Sequence, residues 1–128
     1  MNKKFLGAAA AAITLATAGA PALAHHNANA QWQTDKTVEL VGVLKQIRDI
    51  QPHAQWTIEV KNAKGQVETW HLEAIQNVAL RRQGVKVKDD LVPGRTYTFF
   101  VSPSRDGSKA AFIKGLVING KRIDMVRL

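Results

Sequence analysis

Four histidines, His25, His26, His53 and His71, are the side chains of this sequence best suited to metal binding or proton transfer. The 128-residue chain has no cysteine, which removes thiolate nucleophiles, iron–sulfur clusters and zinc–thiolate sites. If the chain is cut after Ala24, His25 carries a free amine beside its own imidazole, and His26 follows it. An amine paired with Nδ1 is a bidentate nitrogen chelate, a donor set that suits Cu(II). A cut after Ala22 instead makes His25 the third residue, a second arrangement of that kind. His25 and His26 are therefore candidate metal ligands, and His53 joins them if either folds back to complete a small site beside Glu73. The plainer reading has two exposed histidines and no cofactor, because ordering an N-terminal arm around a metal costs entropy.

Catalysis finds little to work with. There is no nucleophile elbow and no glycine-rich phosphate loop: Gly42, Gly65, Gly84 and Gly94 stand alone. Asp89 and Asp90 are adjacent and read as a solvated turn, and no serine has an evident histidine partner. The expectation is a protein that is not an enzyme.

The first residues address the chain. Lys3 and Lys4 precede an apolar run over 5–20, Pro21 breaks it, and Ala22-Leu23-Ala24 places small residues where a signal peptidase needs them. The run is alanine-rich and shorter than the ~20 residues a spanning helix requires. Residues 1–24 are thus expected to be a cleaved secretory signal peptide, exported by the general secretion route, since no arginine pair precedes the run. The expected location is the periplasm, with no membrane span in the mature chain. Removing 24 residues leaves 104, and the two lysines lost with them lower the formal net charge from +8 to +6. A chain of that size buries roughly two-thirds of its unfolded surface, enough for one core.

That surplus of positive charge favours anionic partners such as lipid headgroups, acidic polysaccharide or acidic protein surfaces. Export and the scatter of the basic residues argue against nucleic acid. Charge that merely solubilises the surface is the competing reading.

Periodicity then supplies the elements. Residues 25–36 are polar and aperiodic and read as an extended N-terminal arm, with Trp32 packing on the domain that follows. Residues 37–128 form that domain. Val38, Leu40, Val43, Leu44 and Ile47 outline a long first strand kinked at Gly42. Residues 49–54 turn at Pro52, and Trp56, Ile58 and Val60 share one face of a second strand. A hairpin at 62–65 returns a third, with Trp70, Leu72 and Ala74 on one face. Asn77, as N-cap, opens a short helix that Gly84 closes. Residues 85–91 read as irregular, and Val92-Pro93-Gly94-Arg95 as a type II turn. A fourth strand at 96–102, a loop at 103–109 and a fifth strand at 110–118 follow. Asn119-Gly120 turns into a short sixth strand at 122–125.

Three strands, a helix and two strands match the OB arrangement. The fold expected is all-β with one short helix: a small five-stranded OB-fold-like Greek-key barrel with an extra C-terminal hairpin arm. A small open sandwich with the helix lying on it is the rival.

The register that puts every large apolar residue on one side sets Ile58 opposite Trp70 and Trp56 opposite Leu72. Gln55 then faces Glu73, and Thr57 faces His71, on the other side. His53 lies diagonally from Glu73, within side-chain reach. His53 and His71 are about 13 Å apart along the ladder, too far to share one ion.

The chain resembles the DUF6152 family, small exported bacterial proteins of unknown function. The resemblance rests on Ala24-His25-His26, residues 38–44, Pro52-His53, Trp70 with Glu73, and Leu80-Arg81-Arg82 followed by Gly84. Pro93-Gly94 and residues 103–108 with Asp106-Gly107-Ser108 complete it. Gln51 stands where family members typically carry Asn, and Val85 where they often carry Trp. The resemblance implies an exported barrel domain and supplies no activity.

An OB barrel binds across strands two and three, flanked by the 1–2 and 4–5 loops. The candidate ligand-binding residues are accordingly Gln51, His53, Gln55, Thr57, Thr69, His71 and Glu73, with Arg105 and Lys109 positive at the rim. The leading reading is a non-catalytic binding or accessory module for an unknown anionic ligand or protein partner, as a monomer or small homo-oligomer. A copper-handling protein using the terminal histidines is the first alternative. An anionic glycan or oligonucleotide binder is the second; with Trp56, Trp70, Tyr97 and Phe99 directed inward, oligonucleotides lack a stacking platform.

Overall fold

Alternation between apolar and polar residues makes the central hairpin of the computed structural model, which describes residues 28–126. Strand β2 (Ala54–Lys61) pairs antiparallel with β3 (Val67–Ala74) in the expected register, Trp56 opposite Leu72 and Ile58 opposite Trp70. Asn62 fastens the turn between them: its Oδ1 accepts the backbone N–H groups of Lys64 and Gln66.

Strand β1 (Val38–Arg48) lies between β2 and β4 (Thr96–Pro103). The expected kink at Gly42 is corrected by the pairing. The register with β2 breaks between Leu44 and Gln46, leaving Lys45 as a bulge. Gly42 answers a different need, close packing, because a Cβ there would sit 2.9 Å from the Glu59 carbonyl oxygen.

Strand β5 (Ala110–Ile118) pairs antiparallel with β4 and, through Leu72↔Ala111 and its neighbours, parallel with β3. That last pairing closes β3-β2-β1-β4-β5 into a five-stranded barrel, so the open sandwich is excluded. The helix after β3 gives the strand order of an OB barrel. Asn119 and Gly120 both adopt positive φ, +50° and +74°, as a type I′ turn requires. They return β6 (Lys121–Asp124) along β5, the extra strand expected at the C-terminus.

The barrel interior is apolar. Leu44, Trp56, Ile58, Leu72, Phe99, Ile113 and Leu116 are fully buried, and Trp56 meets Phe99 edge-on at 6.3 Å. Leu80 joins this core from helix α2 (Asn77–Arg82). The helix ends as its sequence predicts. Val85 N–H donates to the Leu80 carbonyl and Gly84 N–H to that of Arg81, the paired bonds of a Schellman cap.

Several expectations are revised. Gln76, not Asn77, is the N-cap; Asn77 is the first helical residue and gives its N–H to Asp49 Oδ1. The stretch expected to be irregular contains a one-turn helix α3 (Val87–Asp90), its Lys86 N–H held by Asp90 Oδ2 at 2.8 Å. The arm is not extended throughout, because Ala28–Gln31 forms the helical turn α1. Trp70 packs against the core but is only half-buried, and Lys109 Nζ sits 5.4 Å from its ring centroid. The expected leader, residues 1–24, and the His25–His26 pair lie outside the described residues. Among the described residues no helix is long and apolar enough to cross a membrane.

Candidate binding cleft

The outer face of the barrel carries side chains that the inward alternation leaves over. Two cross-strand rows stand there, one of Arg48, Gln55 and Glu73, the other of Gln46, Thr57 and His71. Neighbours in such rows lie about 5 Å apart at Cβ, close enough for one small ligand to touch several. The rows floor a cleft of about 440 Å³, walled on one side by Gln31 and Trp32 and reaching Ala110 of β5.

The bulge at Lys45 is what supplies the β1 members of both rows. Strict alternation from the buried Leu44 would send residues 46 and 48 inward. The extra residue reverses the parity, so Ile47 packs against the core while Gln46 and Arg48 are exposed. A signal of this exists in the sequence: the apolar spacing from Leu44 to Ile47 is three rather than two.

The wall is pinned by contacts distant in sequence. Trp32 forms an isolated bridge with Ser104, Arg105 N–H donates to the Gln31 carbonyl at 3.0 Å, and Arg105 Nε to that of Asn29 at 2.6 Å. Lys114 Nζ donates to the carbonyls of Thr34 and Lys36 and to the Thr37 hydroxyl. Trp32 is buried, as expected, with its ring tilted against Phe112 at 6.3 Å. Phe112 in turn receives His53 edge-on at 5.5 Å.

The expected site residues divide into two groups. Gln55, Thr57, His71 and Glu73 line the cleft. His53 is beside it, its Nδ1 3.3 Å from Glu73 Oε2, the diagonal pairing that the register implied. The others fall away. Gln51 is exposed in the 1–2 loop, and Thr69 lies a row beyond, opposite Glu59. The two rim cations have other partners: Arg105 holds the arm, and Lys109 Nζ is 3.2 Å from Glu68 Oε2. Asn62's amide and the neighbouring Lys109 keep the Glu68 carboxyl below its ordinary range. Among the described residues no group of three or more histidines and acids is placed to hold a metal ion. Sequence reasoning missed Gln31, Gln46 and Arg48, the first because α1 docks through contacts more than 70 residues away.

Chemically, the cleft offers one guanidinium, several side-chain amides, a hydroxyl, an imidazole and a single carboxylate already facing His53. Two opposed carboxylates, as glycoside hydrolysis ordinarily uses, are not found in its lining. Hydrogen bonding to a polar molecule is what this set does well.

The model of a family of unknown function, DUF6152, matches residues 11–113. The chain belongs to that family. No curated protein and no solved structure matches it. The DUF6152 match spans every residue that lines the cleft and ends before β6, so the cleft lies wholly within the family's portion of the chain and the last strand outside it.

Proposed function

We propose that this DUF6152 member is an exported, non-catalytic binding module that takes a small polar ligand in the outer-face cleft. The observation that carries the reading is the pair of cross-strand rows, Arg48-Gln55-Glu73 and Gln46-Thr57-His71, over one concavity. Strands two and three, the usual binding face of an OB barrel, supply four of those six residues. The leader-like residues 1–24 support the exported address.

A thermal-shift panel of sugars, sugar acids, amino acids and dicarboxylic acids tests the reading, run on the protein and on Thr57→Trp, whose indole fills the cleft. A ligand at ten times its Kd stabilises the native state by about 1.4 kcal/mol, a rise of roughly 5 °C or more in Tm for a domain of this size. The expected result is at least one compound that raises Tm in the native protein and leaves Thr57→Trp unmoved. A panel without effect, or shifts shared by both proteins, ends the reading. The address is tested by fractionation and intact mass, which are expected to find a chain starting at His25 in the periplasm; full-length chain in the cytosol refutes it.

A further inference from the structure

The composition of the cleft narrows the ligand further, and the narrowing rests on the binding reading above. We infer that the ligand is a hydroxyl-rich carboxylic acid of the uronate class, its carboxylate on Arg48 and its hydroxyls along Gln46, Gln55 and Thr57.

Charge counting comes first. Arg48 is exposed and makes no ion pair among the described residues. The one carboxylate in the lining, Glu73, stands at the far end of the same row with His53 Nδ1 3.3 Å away. The lining therefore offers a single cation without an ion-pair partner. A guanidinium presents a planar fork that matches one carboxylate with two parallel bonds. A phosphate dianion would call for more positive charge than this cleft holds. Arg105 and Lys109, which the rim was expected to contribute, are occupied with the arm and with Glu68.

Hydrogen-bond type comes second. Gln46, Gln55 and Thr57 each donate and accept, which suits hydroxyl groups that do the same. An apolar or aromatic acid gains little here, because Trp32 is only 4% exposed and Trp56 only 1%. Neither tryptophan of the lining offers a face for stacking.

The two arguments meet at the Lys45 bulge. It turns Gln46 and Arg48 outward together, so the cation and its adjoining amide arrive as a unit. Arg48 is thereby the specificity-determining residue of the cleft.

The test uses trigalacturonate, its methyl ester, galacturonic acid and inorganic phosphate, titrated into the isotope-labelled protein and followed by amide shifts at Gln46, Arg48, Gln55 and Thr57. The ester keeps shape and hydroxyls and removes the charge. A bond to a charged group is worth tenfold or more in affinity, so the acid is expected to bind at least about tenfold tighter than the ester. Arg48→Gln is expected to abolish that preference, and Arg48→Lys to retain part of it. Both variants alter an exposed side chain, and an unchanged spectrum elsewhere verifies folding. Trigalacturonate binding tighter than the monomer identifies an acidic polysaccharide as the source; equal binding identifies a free sugar acid. Equal affinity for acid and ester, a preference that survives Arg48→Gln, phosphate binding as tightly as the acid, or no shifts at millimolar acid each overturns the inference. Shifts within the cleft but indifferent to charge leave the binding reading standing, whereas shifts confined to other surfaces sink both.

Discussion

Asp106 shows how a single exposed side chain governs a loop. The Ser108 side chain, the Ser108 N–H at 2.8 Å and the Ser104 hydroxyl at 2.7 Å all hydrogen-bond its carboxylate, and in that order they lower its pKa from 3.8 to about 2. A carboxyl whose folded pKa lies below its unfolded value stabilises fully above the unfolded value. That contribution disappears as pH falls from about 3.8 toward 2. The loop that carries Arg105 to the arm should therefore persist through mild acid. Carbon-detected titration of Asp106 is expected to give a midpoint near 2, with the Ser108 amide moving in step; a midpoint near 4 refutes the bonds. Much of this was legible, since Asp106-Gly107-Ser108 reads as a turn on its face. Which carbonyls Arg105 would reach was not, because its partners Asn29 and Gln31 sit more than 70 positions earlier.

Elements were legible where packing and periodicity agree. The β2–β3 hairpin followed from Trp56, Ile58, Trp70 and Leu72, since a slip of one residue would turn one strand's apolar pair away from the other's. The Schellman end of α2 followed from Gly84, whose φ of +85° a side chain would resist. Helices α1 and α3 were not legible. Each is a single turn, too short to show a period, and tertiary contacts hold it. The bulge in β1 was half legible: the three-step from Leu44 to Ile47 announced it, while Gly42 drew attention three residues too early. Deleting Lys45 is expected to set Gln46 directly after Leu44 in strict alternation, with Gln46 and Arg48 still outward and Ile47 still against the core. No polar side chain is driven into the core, so a dispersed NMR spectrum and a cooperative melt are the expected outcome. A deletion variant that loses both would show that Lys45 does more than correct the parity of β1.

For the molecule as a whole, two seams run along one edge of β5, and the first of them closes the barrel. Its first residues pair with β3, and its last with β6. Gly115 permits the second seam, because a Cβ there would stand 2.8 Å from the Ile123 carbonyl oxygen. Gly115→Ala is expected to push β6 away and expose Met125, now 5% exposed. Re-exposing a buried methionine costs about 1.5–3 kcal/mol, readable as a lower denaturant midpoint with an unchanged slope. The cleft lies on the other seam, so ligand affinity should survive; an unchanged midpoint would mean that β6 contributes nothing to the fold.

The pinning of α1 and Trp32 has a consequence for the order of assembly. Arg105 and Lys114, which secure the arm, are separated from their partners in it by 74 to 80 positions. This early segment is thus fastened late, only after β5 has been made. Until then Phe112 has no tryptophan over it and the cleft has no wall. A nascent or truncated chain would carry residues 28–37 loose, within reach of proteases, while the finished barrel draws them in.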